Sequence, residues 1–232
     1  MNTRKIPADH LKAHAAQVFR ILKKTYPQAH CELVHASPLE LLVATILSAQ
    51  CTDKRVNLVT PALFKRYRSA RDYADAKPEE LEALIRSTGF YKNKARHIMG
   101  ACRVIAEQHG GNVPSTMEAL AVLPGIGRKT ANVILDTAFG KNEGVVVDTH
   151  VLRVSKRLGL SQASNPVRME RELMTLFPKK NWGTISHLIV WHGRRRCYAR
   201  RPDCPHCELN KICPSADDFL HKQKVKKMES GK

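Results

Sequence analysis

No stretch of this 232-residue chain approaches the roughly 18 consecutive apolar residues that a membrane-crossing helix requires. Its opening twelve residues, Met1 to Lys12, lack the apolar core of a secretory signal. A cytoplasmic protein without a membrane partner is therefore expected. Acid is scarce as well: 21 Asp and Glu stand against 39 Lys and Arg, and the surplus is spread through the chain instead of confined to one tail. A folded basic surface carrying +18 points to a polyanion, with nucleic acid as the natural partner. Charge by itself does not separate DNA from RNA. Strand-like alternation is almost absent, which excludes a sheet-built fold and leaves an all-α one. There is no internal repeat and no low-complexity segment apart from a basic run from His221 to Lys232, expected to fray.

What is present is helix punctuation. Ser37-Pro38-Leu39-Glu40 combines a capping box with proline at the first helical position, and Leu39, Leu42, Val43, Ile46 and Leu47 then share one face of a helix expected to end near Gln50. Pro78 opens a segment that Gly89 closes, Tyr91 to His109 forms another that Gly110 and Gly111 terminate, and Ser115 with Glu118 reads as a second capping box. Val145-Val146-Val147 is too short and isolated for a sheet and reads as a buried connection.

Leu123-Pro124-Gly125-Ile126-Gly127-Arg128-Lys129-Thr130-Ala131 sets two glycines, one residue apart, before the amphipathic run Thr130 to Phe139. Bare backbone amides at a helix start form an anion site, so a phosphate fits on Gly125 and Gly127. An ordinary turn between helices would look the same. Lys129 is the unusual residue, because the positive end of a helix dipole disfavours a cation there. The same field, with partial desolvation, favours the neutral amine that attacks carbon. Val147-Asp148-Thr149-His150 has the form of an N-cap, with Val147 stapling onto Leu152. The apolar run before it would carry the Asp148 carboxylate toward the interior, where a fixed anion opposes positive charge developing on a sugar.

Seven cysteines in a reducing compartment argue against a disulfide framework, and four of them are bunched. Cys197, Cys204, Cys207 and Cys213 follow C-x6-C-x2-C-x5-C, compact enough for one centre. Four thiolates suit zinc or an iron–sulfur cluster, and three unequal short gaps with proline after two of the cysteines lean toward iron–sulfur. Arg194, Arg195, Arg196, Arg200, Arg201 and Lys211 surround them, so the loop is expected to present a basic face. Cys31, Cys51 and Cys102 read as small core residues.

The Leu-Pro-Gly-Ile-Gly-Arg-Lys-Thr-Ala segment, Val-Asp-Thr-His-Val and the four-cysteine loop, in this order, closely resemble the endonuclease III family. Leu47-Ser48-Ala49-Gln50, Gly89-Phe90-Tyr91 and Trp191-His192-Gly193 extend the resemblance over nearly the whole chain. It implies the helix-hairpin-helix DNA glycosylase fold, with a six-helix barrel over residues 31–141 and an iron–sulfur lobe formed by residues 1–30 and 142–232, DNA lying across the cleft between them. It also implies a monomer, associated with the nucleoid if the source is bacterial, that acts on double-stranded DNA containing damaged pyrimidines or abasic sites. Lys129 takes the place of the family's nucleophile, Asp148 that of its aspartate, and the four cysteines hold a [4Fe–4S] cluster. Gln50 corresponds to the residue that fills the space left by a flipped nucleotide, while Arg128 and His150 join Gly125 and Gly127 in contacting DNA. Phe90 stands where leucine is common as a wedge, and Cys51 where alanine is usual, departures that bear on the wedge geometry and on the pocket wall respectively. A hydrolytic relative, such as an adenine-mispair glycosylase, typically lacks lysine at this place and carries a further C-terminal domain, for which few residues remain here. A non-catalytic DNA-binding module would have no need of Lys129, and a zinc protein acting on RNA would be colourless where an iron–sulfur protein is brown.

Overall fold

Side-chain caps set several of the helix starts in the computed structural model, which describes residues 6–221. Thr52, Ser69, Thr116, Asp148 and Asn165 each accept a first-turn amide, satisfying donors that have no partner inside the helix. The helices are α1 (Ala8–Thr25), α2 (Pro38–Leu47), α3 (Asp53–Arg66), α4 (Ala70–Ala74), α5 (Pro78–Ile85), α6 (Tyr91–Gln108), α7 (Met117–Ala121), α8 (Arg128–Phe139), α9 (Thr149–Arg157), α10 (Pro166–Leu176) and α11 (Trp182–Arg195). No strand occurs among the described residues, and Val145, Val146 and Val147 form a buried connection. The basic run that ends the chain lies, from residue 222 on, outside the described residues.

Two of the sequence's capping boxes take a different form. At α2, Ser37 Oγ accepts from Glu40 N at 3.2 Å, but the Glu40 carboxylate accepts from Ala36 N, one residue before the cap. At α7 the cap is Thr116, accepting from Ala119 N at 3.3 Å, because Ser115 is occupied by the Lys141 ammonium at 2.9 Å.

The chain divides into two compact units, Cys31–Lys141 and a second made of Met1–His30 with Asn142–Lys232. In the first, α2, α3, α5, α6 and α8 enclose a core that includes Leu42, Leu47, Leu63, Leu81, Ile98, Ile105, Leu120 and Ile134, all fully buried. In the second, α1, α9, α10 and α11 bury Val18, Leu22, Val154, Leu173, Ile185 and Ile189, and Cys197, Cys207 and Cys213 pack on that core half-exposed. Cys102 is a core residue, whereas Cys31 and Cys51 are half-buried at its edge.

Candidate functional site

The hairpin between α7 and α8 is pinned by Leu123 and Ile126, 2% and 4% exposed, with Ile126 N donating to Leu123 O at 3.0 Å. Its two glycines differ in cause. Gly125 has φ +78°, and a Cβ there would lie 2.7 Å from His97 Cβ on α6, so only glycine fits. Gly127 has φ −94° and nothing within 4 Å of an added Cβ, so neither backbone nor packing demands glycine. Gly127 is exposed and caps the start of α8 without a side chain.

Arg128 and Lys129 occupy the first turn of α8 and are exposed. The partial desolvation expected of Lys129 is therefore not found within its own unit, because the apolar face of α8 is formed by Ala131, Ile134 and Leu135 and the lysine lies off it.

Gln50 and Phe90 lie in the same unit, on the segments that follow α2 and precede α6. They are the non-glycine residues with positive φ among those described, at 53° and 48°, a conformation that costs side chains about 1 kcal/mol or more. Gln50 is exposed, and Phe90 is 63% exposed although apolar. Between these segments is a residue that the sequence reading passed over. Lys94, 3% exposed, donates from Nζ to Leu47 O at 2.7 Å and to Thr88 O at 2.8 Å. Burial lowers its pKa, opposed by the nearby Cys51 thiol. The signal was available: Lys94 starts the apolar stripe Ile98, Ala101, Cys102, Ile105 of α6, where a charge has no solvent to face.

In the second unit, Asp148 caps α9, accepting from Val151 N at 2.8 Å, and is half-buried. Val147 and Leu152 both pack on that unit's core. His150, in the first turn of α9, is half-buried with Arg153 Nη2 3.2 Å from its Nδ1. Burial lowers its pKa, partly offset by Asp148.

Cys197, Cys204, Cys207 and Cys213 line a single small cavity. All four are free thiols. Arg157 Nη1 lies 3.3 Å from Cys197 Sγ, and the Leu209 and Ser215 amides donate to Cys207 and Cys213, contacts that suit thiolate sulfurs. Burial pushes the Cys204 thiol up to about 11 and that of Cys213 to about 12, so a bound metal would have to displace protons from them. Four soft donors around one cavity, with amide and guanidinium donors on the sulfurs, fit a [4Fe–4S] cluster. His192, Cys207 and Glu208 also bring ligand atoms within 4.8 Å of one another, but Glu208 is engaged by Arg196.

The arginines of this loop divide in a way that spacing did not show. Arg196 pairs with Asp203 and Glu208, and Arg195 stacks 3.8 Å over the Trp191 ring. They shape the loop, and the exposed basic face is carried by Arg200, Arg201 and Lys211. From α9, Arg153 donates to Gly193 O and Cys197 O, and Arg157 to Tyr198 O and Ala199 O. Both arginines were missed, and their four-residue spacing on one helix face was the available signal.

Residues 43–179 match the family model of the HhH-GPD superfamily base excision DNA repair proteins. Endonuclease III of Synechocystis sp. is 56% identical over 88% of this chain and 94% of its own length, and that of Bacillus subtilis 47% over 81% and 86%. A solved non-covalent endonuclease III–DNA complex superposes with a TM-score of 0.87 at 44% identity, covering 90% of this chain and 98% of that one. A trapped endonuclease III–DNA covalent intermediate gives 0.86 over the same shares. This all-helical architecture, with its Gly-x-Gly hairpin, is the helix-hairpin-helix DNA glycosylase fold. Within that class, the chain belongs to the endonuclease III family of base-excision-repair DNA glycosylases and AP lyases.

Proposed function

We propose that this protein removes oxidised pyrimidines from duplex DNA and then nicks the strand 3′ to the abasic site by β-elimination through an imine on Lys129. The observation that carries the reading is the placement of Lys129, exposed in the first turn of the helix that the hairpin feeds.

The +18 surface draws the duplex in, and a backbone phosphate rests on the Gly127 amide, where no side chain intervenes. Gly125, Arg128 and His150 also contact DNA. A damaged base is reached only outside the stack. Phe90 enters the duplex as a wedge and Gln50 takes the vacated space.

Lys129 Nζ then attacks the sugar C1′, and the glycosidic bond breaks with its electron pair leaving on the base, which takes up a proton. Opening of the sugar ring leaves an imine between Nζ and C1′. Removal of a C2′ proton drives the electrons toward the imine, the C3′–oxygen bond breaks, and the 3′ phosphate departs. Water hydrolyses the imine and frees the lysine. Asp148 stabilises the cationic sugar while its other oxygen caps α9.

Cys197, Cys204, Cys207 and Cys213 would hold the [4Fe–4S] cluster, which supplies a rigid cross-link for the loop. Arg157 and the loop amides balance the thiolate charge, and Arg200 and Arg201 face solvent for phosphate contact. The protein acts as a cytoplasmic monomer.

Borohydride trapping on a duplex containing thymine glycol tests the reading. A covalent protein–DNA band with the wild-type protein, absent from Lys129→Ala, is the expected result. Strand cleavage by Lys129→Ala at the wild-type rate would remove the lysine from the mechanism.

A further inference from the structure

Lys94 is a buried ammonium whose two carbonyl partners are the ends of two different helical segments. Leu47 closes α2, and Thr88 closes the short 3-10 turn of Arg86–Thr88. Terminal carbonyls lack partners inside the helix and carry the negative end of its dipole, so a cation suits both. Gln50 lies three residues beyond Leu47 and Phe90 two beyond Thr88. The Lys94 backbone amide also donates to Phe90 O at 3.1 Å, so one residue grips both segments and the backbone of Phe90.

The two segments are the ones that hold side chains at positive φ, and such strain persists only where the surroundings over-determine it. Packing alone does not explain the amine. The rest of that face is Ala95, Ile98, Ala101, Cys102 and Ile105, and burying a charge among them is costly unless its hydrogen bonds are needed.

We propose that Lys94 is a positioning residue for base extrusion: by holding Leu47 O and Thr88 O on one ammonium, it sets the separation of Gln50 and Phe90. The inference rests on the reading of those two side chains as the ones that enter the duplex. Lys94 touches no substrate and acts through them.

The test is a mutant cycle in the full-length, cluster-loaded protein, reading single-turnover base removal from a thymine glycol duplex. A 2-aminopurine opposite the lesion reports unstacking in parallel. Lys94→Met is expected to slow base removal roughly tenfold and to suppress the fluorescence rise, the scale of a small misplacement at a reacting centre. In a Gln50→Ala/Phe90→Ala background the same substitution is expected to cost less than about twofold, because nothing remains to be positioned. Lys94→Arg, which keeps the charge and donors, should recover more activity than Lys94→Met. Should Lys94→Met not fold, Lys94→Gln takes its place in the cycle.

Equal losses in both backgrounds would overturn the proposal, since a merely structural residue lowers activity whatever the wedge. A wild-type rate for Gln50→Ala/Phe90→Ala would overturn the wedge reading itself, and that double variant reports on it without any change at Lys94.

Discussion

The unit Cys31–Lys141 presents its hairpin on a core of closely packed apolar side chains, whereas the cysteine loop of the other unit is held by arginines, carboxylates and backbone hydrogen bonds. In the first, the residue proposed to react is separable from the scaffold: Lys129 is exposed, and the packing around it is done by Leu123, Ile126 and Ala131. In the second, the proposed ligands belong to the scaffold, because Cys197, Cys207 and Cys213 pack directly on the core. Chemistry on a finished core can be removed without loss of fold. Chemistry that is part of the core cannot.

Lys129→Ala should give the largest effect and the least structural damage. Strand nicking is expected to fall by at least about 10³-fold, or about 4 kcal/mol, with DNA affinity by anisotropy within about twofold. A lowered melting temperature would break the claim that this lysine stands apart from its scaffold.

Cys204→Ser should show the opposite pattern. The brown colour expected of the proposed cluster should be absent, and stability should fall by about 3 kcal/mol, roughly 10 °C in melting temperature. Hydrogen exchange should rise in residues 142–221 while residues 31–141 keep their protection. If both units loosened together, the contrast between them would fail.

Asp148 belongs to both patterns, and the choice of substitution separates them. Asparagine caps a helix about as well as aspartate, so Asp148→Asn should leave stability within about 0.5 kcal/mol while base removal drops on the order of 10²-fold. Asp148→Ala should add about 1 kcal/mol of destabilisation measured by urea unfolding.

The two hairpin glycines sharpen the comparison within one unit. Gly125→Ala forces a Cβ to 2.7 Å from His97 Cβ at a φ of +78° and should cost about 2 kcal/mol or more. Gly127→Ala meets open space and should cost less than about 0.5 kcal/mol, while weakening DNA binding through the blocked amide. Equal destabilisation by the two would remove the ligand-based account of Gly127.

The smallest effect is acid sensitivity, with one carboxylate in each unit. The Arg68 and Ser69 amides hold the Asp72 carboxyl below its ordinary 3.8, and the Ser161 hydroxyl with Arg168 holds Glu172 below 4.5. Both prefer the charged form when folded, so their contribution is present above those values and is lost as pH falls through them. Solvent screening limits each to a few tenths of a kcal/mol. Asp72→Asn and Glu172→Gln should therefore flatten the fall of the urea midpoint between about pH 5 and pH 3. An unchanged slope would show that neither is favourably charged in the fold.

Local rules made much of the molecule legible from the chain. Proline and capping residues announced α2, the end of α6 followed from its glycines, and the all-helical class followed from apolar spacing and the near absence of alternation. These depend on neighbours within a few residues, where backbone chemistry is decided. The Ser115 box failed for a long-range reason, because Lys141, 26 residues away, claimed its oxygen. The exposure of Lys129 was equally hidden, since which face of α8 meets the core depends on packing by other helices.

The sequence by itself determined the helical class, the positive charge, the hairpin and the run of four cysteines, because periodicity, composition and spacing are properties of the chain alone. Only the tertiary structure decided that the cysteines line one cavity, that Arg196 pairs with Asp203 and Glu208, and that Lys94 joins the ends of two segments 41 residues apart in sequence (Leu47 and Thr88, 88 − 47 = 41). Each depends on residues far apart in sequence being brought together, and for Lys94 on which polar groups are left without water when the core closes.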